Sequence, residues 1–256
     1  MKVIGIIPTR MNSSRFPGKP MEKILGLPMI GHCYLRSRLS KQLDELYVAT
    51  CDKEIEEYVC SLGGKVIITS NSHTRASTRT AEALKRIEKN NNLKIEIVVM
   101  IQGDEPLIIP ETISQAIKAF DDKDVKISNV MSRFHSQESF EDKNNVKVVV
   151  NKKNDALYFS RESIPSPWKS WGLGPCYNQT GIIAFRRDTL LYFNSLKETY
   201  LEKTESVDMN RILENGEKIR MVPTDAYTIG VDVPDDLFKA KSFLEKDQLV
   251  KSYINL

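Results

Sequence analysis

Val3-Ile4-Gly5-Ile6-Ile7-Pro8-Thr9-Arg10-Met11-Asn12-Ser13-Ser14-Arg15-Phe16-Pro17-Gly18-Lys19-Pro20 is the stretch that decides how this chain folds. Val3–Ile7 is a continuous apolar run, as a strand buried on both faces requires. Three cations, Arg10, Arg15 and Lys19, follow in one strand-to-helix loop. Open α/β sheets bind ligands at the carboxyl ends of their strands, so the loop reads as an anion cradle. Ser13, Ser14 and Gly18 allow backbone N–H groups to come close to an anion, and Pro17 and Pro20 stiffen the turn. A triphosphate needs this combination of fixed cations and close backbone. The loop matches neither the Walker A pattern nor G-x-G-x-x-G, which disfavours a nicotinamide dehydrogenase.

Outward from that loop, apolar runs alternate with helical spacing. Met29–Leu39 predicts a helix, Leu46–Thr50 a strand, and Lys53–Leu62 a helix stopped by Gly63-Gly64. Val66–Thr69 and Ile95–Ile101 read as strands around a helix at Thr78–Glu88, and Pro110 opens a helix through Phe120. This rhythm implies an α/β fold with a mostly parallel sheet covered by helices on both faces. After about residue 124 the connections lengthen. Val125–Val130, Val146–Val150 and Gly181–Phe185 read as strands, with a proline-rich segment at Ile164–Pro175. Glu205–Glu214 predicts a helix ended by Gly216, Lys218–Val222 and Tyr227–Val231 two last strands, and Val233–Leu244 a closing helix. We read a single domain over 1–256. Its nucleotide- and metal-binding core spans about 1–124 and 218–256, and a smaller mixed α+β subdomain spans about 125–217.

The composition is that of a soluble globular protein, with 41% hydrophobic and 28% charged residues. A net charge of +3 is too small to argue for nucleic acid, and no run reaches the length of a membrane span. Cys33, Cys51, Cys60 and Cys176 form no C-x-x-C pair, and His32, His73 and His135 are far apart. A zinc site is not expected, and free thiols in a reducing cytoplasm are.

Two carboxylates complete the chemistry. Ile101-Gln102-Gly103-Asp104-Glu105-Pro106 ends one apolar strand, and Ile229-Gly230-Val231-Asp232-Val233-Pro234 follows another. Asp104 and Asp232 can converge on the edge that carries the basic loop. Magnesium prefers one or two carboxylates completed by substrate phosphates, so this pair is a candidate Mg²⁺ site. Asp232 can also cap the closing helix.

These three motifs, with Asn145-Val146-Lys147-Val148-Val149 and Ala156-Leu157-Tyr158-Phe159-Ser160-Arg161, resemble the 3-deoxy-manno-octulosonate (Kdo) cytidylyltransferase family over essentially the whole chain. The resemblance implies a Rossmann-like nucleotidyltransferase fold whose smaller subdomain serves acceptor binding and dimerisation. It also implies a cytoplasmic homodimer without nucleic-acid or membrane partners, and transfer of CMP from CTP to an acidic 2-keto sugar with Mg²⁺ and release of pyrophosphate. On that correspondence Arg10, Lys19, Asp104 and Asp232 carry the chemistry. Arg10, Ser13, Arg15, Lys19, Arg79 and Gln102 bind the nucleotide, and Asp104 and Asp232 hold the metal. Gln102, Arg161, Gln179 and Asp208 face the acceptor, with Arg161 able to grip a carboxylate bidentately. This sequence departs from the family at His73-Thr74-Arg75-Ala76-Ser77-Thr78-Arg79, where the family reads H-x-S-G-T-E-R. It departs again at Asn178-Gln179-Thr180-Gly181, where the family reads R-H-L-G, and at Asp208-Met209, where the family has a Glu-Gln pair. The nucleotide and metal residues are kept and the acceptor wall is altered. An amino-substituted sugar, a sialic-like acid or a phosphonate is therefore an alternative acceptor, and Kdo is expected to be a poor or non-optimal acceptor beside a modified keto-acid sugar or another small acid. A nucleotide-binding protein without turnover is the remaining alternative.

Overall fold

A computed structural model of the chain describes residues 2–13, 15–92 and 94–254. The first half runs β1 (Val3–Pro8), the small hairpin β2 (Lys23–Ile24) and β3 (Leu27–Pro28), α1 (Met29–Arg38), β4 (Glu45–Thr50), α2 (Lys53–Ser61), β5 (Lys65–Ile68), α3 (Ala76–Asn91), β6 (Ile97–Ile101) and α4 (Pro110–Lys118). The second half runs β7 (Ile127–Arg133), α5 (Gln137–Glu141), β8 (Lys147–Val150), β9 (Ala156–Ser160), β10 (Tyr177–Arg186), α6 (Arg187–Ser195), α7 (Tyr200–Glu205), α8 (Met209–Glu214), β11 (Arg220–Thr224) and α9 (Pro234–Leu244).

The main sheet has the order β11-β7-β10-β6-β1-β4-β5. β5, β4, β1 and β6 pair in parallel, as do β7 and β11, while β10 runs against both of its neighbours. The expected mostly parallel α/β sheet is therefore present. Alternate strand residues point to opposite faces, and each face carries its own core. Ile7, Val99 and Ile101 pack with Ile30 and Cys33 of α1 and Ile113 of α4. Ile4, Ile6, Val98 and Met100 pack with Leu84 of α3 and Phe193 of α6. A strand buried from both sides has no polar face, which is why β1 and β6 read as unbroken apolar runs.

The stretch 125–217 divides in two. β7 and β10 lie inside the main sheet, between β6 and β11. β8 pairs with the start of β10, and β9 pairs with β8 beyond it. α8 is tied to β9 by Asn210 Nδ2, which donates to the Phe159 carbonyl at 3.0 Å, and a buried ion pair, Arg211 Nη2 to Glu202 Oε1 at 2.5 Å, ties α7 to α8.

Two predicted elements are corrected. Glu205–Glu214 is not one helix. Ser206 adopts a left-handed backbone (φ 52°), which ends α7 and turns the chain into α8. Tyr227–Val231 forms no strand. It runs as an irregular segment, and the Val231 N–H donates to the Asp104 carbonyl at 2.9 Å. Alternating apolar residues cannot make a ladder where no strand lies alongside. Asp232 does not cap α9 either. The Asp236 carboxylate accepts the backbone N–H groups of Asp232 (3.0 Å) and Val233 (3.1 Å) from within the first turn. That leaves the Asp232 side chain available for other partners.

Candidate active site

β1 and β6 are neighbours in parallel register, with Ile6 opposite Met100. Their carboxyl ends therefore deliver the basic loop and the Gln102–Asp104 segment to the same edge. The Met11 N–H is held by Asp52 Oδ2 at 2.8 Å, and the Met11 carbonyl accepts from Ser13 and Gly18, so the loop curls on itself. Gly18 has φ 78°, the left-handed region that glycine enters without strain. Ser14 lies outside the described residues.

Lys19 is at the centre. Its Nζ donates to Asp104 Oδ2 at 2.7 Å and to the Val231 carbonyl at 2.7 Å, and it lies 3.5 Å from Asp232 Oδ1. Two acids separated by more than a hundred residues thus meet at one ammonium. Burial works against that charge, but the Asp104 and Asp232 carboxylates outweigh it and hold the Lys19 pKa above the usual lysine value. Arg15 gives one Nη to Asp232 Oδ1 (2.7 Å) and the other to Asn144 Oδ1 (2.9 Å), which ties the loop to the segment before β8. Arg10 donates to the His73 carbonyl at 2.8 Å.

Arg79 is buried on α3. It binds Thr69 Oγ1 through Nη1, while its Nη2 is buried with no hydrogen-bond partner among the described residues. An unpaired buried guanidinium nitrogen is costly unless a ligand completes it. His73 is committed elsewhere: its ring nitrogens meet Thr78 Oγ1 and the Glu82 carboxylate. Asp208 accepts from Ser77 Oγ at 2.8 Å, and desolvation raises its pKa above the ordinary aspartate value. Glu105 accepts the Gly181 N–H at 2.6 Å, and desolvation together with the Asp104 charge pushes it up to about 8.

One cavity of about 390 Å³ is lined by Arg10, Ser13, Arg15, Lys19, Arg79, Gln102, Asp104, Arg161, Gln179, Asp208 and Asp232, the residues to which the resemblance gave a catalytic or binding role. A larger cavity of about 920 Å³ adjoins it and shares Arg15, Gln102, Asp104, Arg161, Gln179 and Asp232. The shared wall holds Arg15, Arg161 and both aspartates, so two ligands, one in each cavity, would meet there.

Arg161 differs from its sequence reading. Nε donates to the Glu205 carbonyl (2.9 Å), and Nη1 donates to the carbonyls of Lys143 (2.9 Å) and Asn144 (3.2 Å). Every bidentate face of a guanidinium includes Nε or Nη1, so the two-point carboxylate grip is already spent on backbone. Nη2 remains for a single contact. Sequence reasoning missed Asp52, Asn129, Asn144, Lys147 and Asp236. Of these, Asp236 left a signal as an acid two residues after Pro234 in a first helical turn, and Lys147 stands in a quoted motif without a role assigned to it.

Cations for a polyphosphate, paired carboxylates and an adjoining second cavity, set at the carboxyl edge of a mostly parallel sheet, define a nucleotidyltransferase. The cytidylyltransferase family model matches residues 4–219. The chain is 39% identical to a 3-deoxy-manno-octulosonate cytidylyltransferase of Geobacter metallireducens, over 97% of this chain and all of that protein. It is 40% identical to the enzyme of the same name from Parabacteroides distasonis, over 95% of this chain and 98% of that one. Among solved structures it is similar to CMP:2-keto-3-deoxy-manno-octonic acid synthetase complexed with CTP, with a TM-score of 0.86 and 35% identity, covering 96% of this chain and 99% of that one. The chain belongs to the 3-deoxy-manno-octulosonate cytidylyltransferase family and is a cytidylyltransferase.

Proposed function

We propose that the chain transfers CMP from CTP to Kdo or a Kdo-like 2-keto sugar acid and releases pyrophosphate. The observation that carries this reading is that Asp104 and Asp232 stand in the wall common to two cavities and meet at Lys19, which lines the smaller one together with Arg10, Arg15 and Arg79. The nucleotide is assigned to the smaller cavity and the sugar acid to the larger.

The hydroxyl on the sugar's anomeric carbon attacks the α-phosphorus in line. The new C–O–P bond forms as the α–β bridging P–O bond breaks, pyrophosphate leaves with the electron pair, and the hydroxyl proton passes to solvent. Arg10, Arg15 and Lys19 stabilise charge as it moves onto the leaving pyrophosphate. Arg79 Nη2 gains the partner it lacks when the nucleotide enters. Asp104 and Asp232 would hold a magnesium ion, for which a pair of carboxylates open to substrate phosphates is a fitting donor set. That ion supplies charge neutralisation on the phosphates. No side-chain base is assigned, since both ring nitrogens of His73 are engaged; positioning and electrostatics carry the rate.

A modified keto acid is favoured as a second reading by Gln179, which stands in the acceptor wall where the family carries histidine. The four cysteines are free thiols, which supports a reducing compartment such as the cytoplasm. A second copy is the proposed cover for the exposed Leu157, Trp168, Leu173 and Tyr200. Pyrophosphate release from CTP and Mg²⁺, measured against a panel of Kdo, amino-substituted Kdo, a sialic-like acid and a phosphonate, ranks the acceptors. Turnover confined to a non-keto acid would overturn the proposal.

A further inference from the structure

The strand that carries Gln179 is irregular, and the irregularity is held by one buried side chain. β10 slips in its register against β7 between Gln179 and Ile183. A slip leaves backbone carbonyls outside the ladder, and buried carbonyls need donors. Asn129 of β7, fully buried, supplies them: its Nδ2 lies 3.1 Å from the Val130 carbonyl, 3.0 Å from that of Thr180 and 2.9 Å from that of Ile182. Three acceptors around one atom require that atom to be the amide nitrogen, so the orientation of Asn129 is fixed by its surroundings. Its Oδ1 then faces Gln179, whose Nε2 donates to it at 2.8 Å. The Gln179 amide is oriented in turn. Its Oε1 has no hydrogen bond among the described residues, and Gln179 lines both cavities. From below, Glu105 Oε1 pins the Gly181 N–H, and a Cβ at Gly181 would lie 2.6 Å from the Gln102 Cβ, so the slipped backbone cannot move toward Gln102.

We propose that Asn129 is a positioning residue for acceptor recognition, locking the Gln179 amide so that its carbonyl oxygen faces the sugar acid and selects for a hydrogen-bond donor there, a hydroxyl or an ammonium. This rests on assigning the larger cavity to the acceptor. A site built to hydrogen-bond one group discriminates against the analogue that lacks it, because the site's own polar atom is left unpaired. Gln179 used this way accepts a hydrogen bond, so an acceptor presenting an anion or only hydrogen at that position is disfavoured.

The test uses the full-length enzyme with CTP, Mg²⁺ and Kdo analogues that each lack one hydroxyl. In the wild type one analogue loses about tenfold or more in kcat/KM. Gln179→Met should flatten that difference and raise acceptor KM several-fold, leaving KM for CTP unchanged. Asn129→Ala should do the same, and the double variant should be no worse than either single one, since both remove one interaction. Because Asn129→Ala can also weaken the sheet, a second measurement reads the lock directly. In ¹⁵N-labelled wild type, the side-chain amide of Gln179, assigned by its disappearance in Gln179→Met, should show slow hydrogen exchange. A rapidly exchanging amide, a Gln179→Met enzyme with unaltered acceptor discrimination, or an Asn129→Ala enzyme whose KM rises equally for CTP and acceptor would overturn the proposal. Absence of turnover with every 2-keto acid would sink the assigned reaction instead, and the exchange measurement would still decide the lock.

Discussion

Replacing Lys19 by methionine keeps most of its stem and removes the one charge that joins the two aspartates. The ammonium lies 2.7 Å from Asp104 Oδ2 and 3.5 Å from Asp232 Oδ1, and it keeps only 11% of its side-chain surface exposed. Without it, Asp104 loses its cation and faces Asp232, which keeps the Arg15 guanidinium at 2.7 Å. Breaking a fully buried pair costs about 3–5 kcal/mol. Asp104 and Asp232 keep 25% and 22% of their surface, so solvent screens part of the repulsion and we expect about 2 kcal/mol. For a chain of this size that corresponds to a fall in Tm of roughly 4–8 °C. Millimolar Mg²⁺ should restore part of the loss in Lys19→Met while moving the wild type less, because the divalent ion replaces the missing cation between the aspartates. Thermal melts of both proteins, with EDTA and with Mg²⁺, check this. Equal Tm values in EDTA, or the same Mg²⁺ shift in both proteins, would show that Lys19 does not hold the two aspartates together.

Asp104→Asn should fold normally yet lower turnover by roughly two orders of magnitude or more at saturating Mg²⁺, read as pyrophosphate release. Gly181→Ala brings a Cβ to 2.6 Å from the Gln102 Cβ and 2.9 Å from Glu105 Oε1; a lowered Tm and a raised acceptor KM are expected by melting and steady-state kinetics. His32 predicts a pH effect. It is fully buried between the Tyr253 hydroxyl (2.8 Å) and the Ile24 carbonyl (2.7 Å), and burial lowers its pKa below the usual 6.5. The unfolded chain then binds a proton that the folded one refuses. The contribution of His32 is therefore full above 6.5 and is lost as pH falls from there through the lowered folded value. Wild type should lose more Tm between pH 7.5 and 5.5 than His32→Gln does, and equal losses would remove His32 as the cause.

The helices α1 and α2 were legible from their spacing and stop signals, and the parts of the site that were legible share one property, a continuous apolar run that ends in charge. β1 with its basic loop and β6 with Gln102 and Asp104 are of that kind, and their short length and β-branched content mark such runs as strands buried on both faces. The meeting of Asp104 with Asp232 is expected from the rule that α/β sheets bind ligands at one edge, but the strand assumed before Asp232 is absent, and Asp232 reaches that edge because Val231 is tied to the Asp104 carbonyl and to Lys19. What stayed hidden depends on tertiary partners. Tyr227–Val231 has a strand's composition but no strand beside it. The break between α7 and α8 falls on Ser206, a residue with no glycine's signature for a left-handed turn. β10 runs antiparallel within its neighbours, and nothing local encodes a strand's direction. Arg161 read as a carboxylate clamp, yet it is spent on the carbonyls of Lys143, Asn144 and Glu205. Lys147, an ordinary surface residue by its letter, is fully buried and donates to the carbonyls of Asp142, Asn145 and Arg161, shaping the same segment. Asn129 is a single polar letter in an apolar strand, and its role exists only where the β10 register slips.

The most direct test of the central claim is ³¹P NMR of the purified full-length protein with CTP, Mg²⁺ and Kdo. The triphosphate signals should decay while a sugar–CMP phosphodiester signal and pyrophosphate grow in equal amounts. The reaction should need the divalent ion, and it should be lost in both Asp104→Asn and Asp232→Asn. A folded protein that binds CTP yet forms no phosphodiester with Kdo or any Kdo-like 2-keto acid, or one that forms it at an undiminished rate in both variants, would contradict it.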